Sequence, residues 1–246
     1  MTDQSNIITE LPQRIYRRHE IPIADYLMSH QQALKEDYLK NFKSLEEAVR
    51  SDIETVPSFS EFRTDIADIS KKYLVQDTDT TPDLSRWLVR NFKYRHGENP
   101  DLRWDTPEQT MKENFPTAWK LMQEYGEDCT IVSYSILAPR SVINRHTGPE
   151  NRSGELIRIH IPLIIPQGDI FFEVYGEEIQ WTDLFGFNNQ FVHSAHNNTS
   201  EWRLCFLIDI RRTRAGLSPG VPYDDIKHLD NVSDLVEEYK VKINYK

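Results

Sequence analysis

Leu156-Ile-Arg-Ile-His-Ile-Pro-Leu-Ile-Ile165 decides the fold. Ile157, Ile159 and Ile161 alternate with Arg158 and His160, and successive side chains of a strand point to opposite faces. The isoleucines therefore share one face, and Arg158 and His160 share the other. Pro162 and Ile164 continue the row of Arg158 and His160, so that face is also partly buried. Pro162 has no N–H to give a ladder and marks an edge, a bulge or the end of regular pairing.

Working outward, three more strand-like runs surround this one: Thr130-Ile-Val-Ser-Tyr-Ser-Ile-Leu137, Ile170-Phe-Phe-Glu-Val174 and Arg203-Leu-Cys-Phe-Leu-Ile-Asp-Ile210. Shorter pieces at 141–145, 178–181 and 187–195 are weaker candidates. Ahead of them the texture is helical from Ile21 to about Tyr73, with apolar residues at three- and four-residue spacing. Residues 76–83 read as an acidic, turn-forming loop. Thr106-Pro-Glu-Gln109 reads as a helix start with a Thr cap and a capping box. Pro116 restarts the segment and Gly126 stops it. The tail after Arg212 is polar, with one helical stretch near 232–240. Strands separated by Gly, Pro and Asn turns, with helices gathered in front, predict an α+β protein with a mainly β core, a sandwich or barrel on an N-terminal helical support layer. No linker divides the chain, so one domain is expected: a mostly helical layer over 1–114, a β core over 115–212 and a tail over 213–246.

Composition bounds the function. The chain has 246 residues, 29 Lys+Arg against 39 Asp+Glu, and a formal net charge of −10. An acidic balance argues against coating nucleic acid or anionic membrane, both of which reward excess Lys and Arg. No apolar run reaches the roughly 18 residues of a membrane span. Two cysteines exclude a disulfide framework, and Met1-Thr-Asp-Gln-Ser-Asn-Ile-Ile8 lacks the pattern of a secretory signal. A cytoplasmic protein is expected.

Of eight histidines, four (His146, His160, His193 and His196) fall in the β-rich half. They read either as a metal site assembled from separate strands or as surface and hydrogen-bonded core histidines. Spacing does not choose, since 193 − 146 = 47 residues is no local metal motif. The arginines weigh more. Arg158 on a buried face and Arg203 opening an apolar strand must each meet an anion or fixed acceptors. An internal ion pair to Asp209 or Glu173 is one answer. A dicarboxylate held beside a metal fits two inward guanidinium forks next to clustered histidines better.

Four motifs, His146-Thr-Gly-Pro-Glu-Asn151, Leu156-Ile-Arg-Ile-His160 leading to Pro166, Phe187-Asn-Asn-Gln-Phe-Val-His193 and Arg203-Leu-Cys-Phe-Leu-Ile-Asp209, together resemble the aspartyl/asparaginyl β-hydroxylase family of Fe(II)/2-oxoglutarate-dependent oxygenases. The resemblance runs from about Phe115 to Arg212 in order and spacing, including the interval 203 − 193 = 10. It implies a double-stranded β-helix, jelly-roll or cupin-like. It implies His146 and His193 as the catalytic metal ligands, and Arg203 with the Ser135 hydroxyl on the distal carboxylate of 2-oxoglutarate. Arg158 and His160 would then lie near the carboxylate end that chelates iron. Imidazole suits Fe(II), and the arginines would neutralise a dianion. The position two after His146 is Gly148, so the carboxylate of many two-His-one-carboxylate relatives is missing, as in the family's own HTGP pattern.

The chain departs from the family at Asn188 and Asn189, where acidic residues are usual, and in a longer segment between His146 and Arg158. Asn189, His196, Arg145 and Arg152 are candidate substrate contacts. The activity implied by the resemblance is that of a dioxygenase using Fe(II), 2-oxoglutarate and O₂ to hydroxylate an unactivated carbon of a small molecule, amino acid or peptide, with succinate and CO₂ as co-products. A halogenase with chloride at the vacated carboxylate position, a non-catalytic β-barrel binding protein and a structural or interaction protein are the alternatives.

Overall fold

In the computed structural model the described residues are 8, 10–55, 87–95, 103–148 and 151–229. The expected helix beyond 55, the loop at 76–83 and the helix at 232–240 lie outside them. Eleven strands form two sheets among the described residues. The larger contains β1 (Ile15–Arg17), β2 (Trp87–Arg95), β3 (Arg103–Asp105), β4 (Cys129–Leu137), β6 (Leu156–Ile164), β9 (Phe185–Phe187) and β11 (Arg203–Arg211), in the order β1-β9-β6-β11-β4-β2-β3. The smaller contains β5 (Ser141–His146), β7 (Ile170–Val174), β8 (Glu177–Ile179) and β10 (His193–Asn197), in the order β5-β10-β7-β8. All pairings are antiparallel. The chain crosses repeatedly from one sheet to the other, as a double-stranded β-helix does.

The alternation read in 156–164 is realised. Ile157, Ile159 and Ile161 join Leu204, Phe206, Ile208, Val132, Tyr134, Ile136, Leu88 and Phe92 on the outer face of the large sheet. There they pack under α1 (Ala24–Met28), α2 (Gln31–Leu39), α3 (Leu45–Thr55), α4 (Glu108–Asn114) and α5 (Pro116–Tyr125). Two hydrogen bonds pin α2 to the sheet: Tyr134 donates to the Leu34 carbonyl at 2.8 Å, and Gln31 Nε2 to the Pro162 carbonyl at 2.5 Å. Pro162 stays inside β6, at the point where the β6–β11 register shifts. The opposite face of the large sheet meets the small one across a second core of Leu137, Cys205, Phe172, Phe185, Phe187 and Trp181. That interface is the barrel interior, and Arg158 and His160 point into it.

Two boundaries differ from expectation. Strands β1, β2 and β3 lie in the stretch read as helical layer, so the β core draws on residues well before 115. β2 escapes notice because Arg90, Lys93 and Arg95 interrupt its apolar positions. The helix start at Thr106 has no capping box. Pro107 is the N-cap, and the Thr106 hydroxyl donates to the Asn91 carbonyl at 2.5 Å, tying α4 to β2. Gly126 stops α5 as expected, in a right-handed conformation, and a 3-10 turn over Gly126–Asp128 leads into β4. Among the described residues no helix is long and apolar enough to cross a membrane.

Candidate functional site

The site begins with a register. β5 and β10 pair so that His146 stands opposite His193, and the two rings lie 4.2 Å apart between centroids. A register shift follows immediately between His193 and Ala195. His193 is 2% exposed, and its Nδ1 bonds the Phe191 carbonyl at 2.8 Å. A carbonyl only accepts, so Nδ1 carries the proton and Nε2 keeps its lone pair. That Nε2 is buried with no partner among the described residues. Burial, reinforced by His146 and Arg158, holds the His193 pKa well below the ordinary value, so the ring stays neutral. Phe172 and Phe187 pack against it and Trp87 against His146.

His160 has the complementary arrangement. The indole N–H of Trp181 donates to His160 Nδ1 at 3.4 Å. Burial first, then Arg203 and Arg158, depress its pKa strongly. A neutral ring whose Nδ1 accepts must carry its proton on Nε2, and that Nε2–H is buried without an acceptor. The interior thus holds one unused lone pair at His193 and one unused donor at His160.

Arg203 supplies charge. It is 1% exposed, lies over Trp181 at 4.7 Å and donates from Nη1 to the Ser135 carbonyl at 3.2 Å and hydroxyl at 3.3 Å. Its Nε has no partner. Trp87 Nε1 also donates to the Ser135 hydroxyl, at 3.2 Å. With two donors aimed at its oxygen, Ser135 has its own proton left to give. The nearby buried carboxylates are engaged elsewhere. Asp209 takes a bidentate bond from Arg158, Nε and Nη2 each at 2.6 Å, and Glu173 pairs with Arg145 at 2.5 Å. The expectation of two uncompensated arginines is corrected to one. Arg158 forms the internal ion pair weighed as the alternative, and Arg203 is a buried cation without an ion pair among the described residues.

The candidate substrate contacts scatter. β10 pairs regularly with β7, so His193 and Ala195 face inward with Val174 and Phe172, while Ser194 and His196 face outward with Glu173 and Phe171. His196 stacks on Phe171 at 4.5 Å and approaches the Ser194 hydroxyl at 3.2 Å. Arg145, next to inward His146, lies on that outer face with Glu173. Both lie on the face of the small sheet opposite the histidine pair, and the period of two explains it: each is an odd number of residues from one of those histidines. Arg152 is largely exposed beside Tyr223 and Asp224. Asn189 is buried in an amide network. Asn151 Nδ2 donates to Asn189 Oδ1 at 2.7 Å, while Gly148 N donates to the Asn189 carbonyl at 2.7 Å. Asn188 Oδ1 accepts from Gln190 N, and Gln190 Nε2 reaches the Arg152 and Val221 carbonyls. These bonds tie the segment after His146 to the segment before His193. Sequence reading assigns no role to Trp87, Trp181 or Asn151, and the charged residues of β2 leave no local signal at Trp87.

The donor set fits an Fe(II) and 2-oxoglutarate site. His193 offers an unshared imidazole nitrogen opposite a second histidine, and Arg203, Ser135 and His160 offer a cation and two donors for carboxylates. Among the described residues no group of three or more His, Cys, Asp or Glu is gathered.

The fold defines the class, a double-stranded β-helix with a polar interior. A family model described as aspartyl/asparaginyl beta-hydroxylase matches residues 44–213. The chain belongs to the aspartyl/asparaginyl β-hydroxylase family. The mouse aspartyl/asparaginyl beta-hydroxylase is 30% identical over 101 residues, covering 39% of this chain and 13% of that protein. The human protein of the same name is 30% identical over 81 residues, covering 32% and 10%. The chain therefore spans only a small part of the length of these curated relatives. Among solved structures, similar ones include an oxidoreductase of the 2OG-Fe(II) oxygenase family from Burkholderia pseudomallei, at 12% identity and TM-score 0.34, covering 73% of this chain and 94% of that one. A Cupin_2 domain of an XRE family transcriptional regulator from Enterobacter cloacae is similar at 15% identity and TM-score 0.30, covering 51% and 96%.

Proposed function

We propose that the chain is a single-domain Fe(II)/2-oxoglutarate-dependent hydroxylase acting on a small molecule, amino acid or peptide. The observation that carries this reading is the pair of facing histidines, one with a buried Nε2 unshared among the described residues, in the same interior as a buried arginine that has no counter-ion among them. His146 and His193 would hold the metal. Arg203 and the Ser135 hydroxyl would hold one carboxylate of 2-oxoglutarate, and the Nε2–H of His160 would serve the other. Bound there, iron and 2-oxoglutarate supply the oxidising power that inserts one oxygen atom of O₂ into a substrate C–H bond, with succinate and CO₂ as co-products.

The protein's own part is positioning. The Phe191 carbonyl fixes the His193 tautomer, so no proton has to leave before ligation. Depressed pKa values keep His193 and His160 neutral, one as lone-pair donor and the other as N–H donor. Phe172, Phe185, Phe187 and Trp181 line the interior with rings and keep water from competing for the Arg203 guanidinium. With both cysteines free and buried, we place the protein in the cytoplasm, where unpaired thiols are the ordinary state.

The test is Fe(II) binding and 2-oxoglutarate turnover in the parent, His193→Ala and Arg203→Ala, with product masses read directly. Metal binding should disappear in His193→Ala, and the 2-oxoglutarate requirement should rise sharply in Arg203→Ala. Unchanged metal binding in the histidine variant rejects the reading. A product carrying chlorine in place of the added oxygen selects the halogenase alternative.

A further inference from the structure

The barrel interior holds two more polar groups that neither the fold nor the histidine and arginine site explains. Asn91 on β2 and Ser133 on β4 are cross-strand partners. Their neighbours Leu88, Phe92, Val132 and Tyr134 face the helices, so by alternation Asn91 and Ser133 face inward. They are 7% and 0% exposed, and among the described residues neither Asn91 Oδ1 nor the Ser133 hydroxyl has a hydrogen-bond partner. Burying an unsatisfied polar group costs about 1–3 kcal/mol, and here two sit together.

Their position matters. Leu207 pairs with Ser133 on one side and with His160 on the other, so His160, Leu207, Ser133 and Asn91 form one inward row across four strands. Ser135, which approaches Arg203, is the next inward residue of β4, about 7 Å along the strand. A ligand on Asn91 and Ser133 would therefore lie beside one held by Ser135 and Arg203.

We infer that Asn91 and Ser133 form the polar subsite for the substrate, and that it takes a neutral group that donates hydrogen bonds, a hydroxyl or a carboxamide. The Asn91 oxygen needs a donor, and the serine hydroxyl can both give and accept. A carboxylate brings only lone pairs, and Arg158, the cation of the adjoining row, is committed to Asp209. An ammonium would be a buried charge without a counter-ion, because Asp209 is committed as well. This inference rests on the proposed 2-oxoglutarate chemistry and narrows its substrate class.

Two measurements test it. Without any ligand, Ser133→Ala and Asn91→Leu should each raise Tm by about 2–4 °C, because an unsatisfied group is removed. A fall in Tm would show that structural water or the fold already satisfies these groups, and would overturn the subsite. Product formation is then compared within amino-acid pairs of similar shape: L-asparagine against L-aspartate, L-glutamine against L-glutamate and L-threonine against L-valine. The parent should favour the neutral donating member at least tenfold, and Ser133→Ala should erase about a tenfold share of that preference at unchanged KM for 2-oxoglutarate. Preference for the charged or apolar member, or a ratio the variants leave alone, overturns the inference. Absence of 2-oxoglutarate turnover with every compound, in parent and His193→Ala alike, counts against the hydroxylase reading itself, while the Tm comparison still decides the subsite.

Discussion

Asp209→Ala is the sharpest perturbation of this fold. The Arg158 and Asp209 side chains are 10% and 0% exposed and joined by two charge-assisted bonds at 2.6 Å. Removing the carboxylate strands a guanidinium between β9 and β11, and breaking a buried pair in this way costs about 3–5 kcal/mol. Domains of this kind are stable by roughly 5–15 kcal/mol, so about a fifth of the total or more is at stake. Replacing both partners removes the stranded charge. Arg158→Met combined with Asp209→Leu should return to within about 1 kcal/mol of the parent. Urea denaturation of the metal-free protein, followed by tryptophan fluorescence, measures all four corners of the cycle. A loss below about 1 kcal/mol in Asp209→Ala, or a double variant as unstable as the sum of its singles, would refute the reasoning. The same double variant separates structure from ligand binding. If Arg158 also touches 2-oxoglutarate, the protein regains its stability but not its KM.

Other contacts yield further outcomes. A Cβ on Gly220 would lie 1.7 Å from the Gly154 carbonyl oxygen, so Gly220→Ala should detach the chain after Arg212 from the 151–155 segment, read as faster proteolysis there at little cost to the helical side. Asn151→Ala removes bonds to Asn188, Asn189 and Leu156 and should weaken Co(II) or Fe(II) affinity about tenfold, whereas an unaltered metal Kd would make the network purely structural. Burial pushes the Cys129 thiol up to about 12, so at pH 8 it is protonated; it should resist thiol reagents in the folded protein and react once urea unfolds it.

Much of the fold was legible because its signals are local. Alternation in 156–164 separated the helix-facing isoleucines from inward Arg158 and His160, and Pro116 restarts a helix at its first position. β2 was not legible, since its inward residues are Trp87, Val89 and Asn91 and its outward ones include Arg90, which pairs with Asp52 on α3. The partner of Arg158 illustrates a different limit. Asp209 and Glu173 were both named as acceptors, but only the β6–β11 register, which sets Arg158 opposite Asp209, chooses between them. His196 shows the same limit, because three residues along a strand put it on the face opposite His193.

The pairing of Ile15 with Phe187 has a consequence for how the molecule comes into being. The two positions are 187 − 15 = 172 residues apart, yet they are neighbours at one margin of the large sheet. During synthesis the first strand is made long before its partner exists, and it must stay unpaired until most of the chain has emerged. Closing so long a loop raises contact order and slows the last step of assembly. Phe187 also lies against His193, so the slowest seam to close is the one beside the two facing histidines. A chain stalled before that step would carry most of its helical scaffold and an open centre.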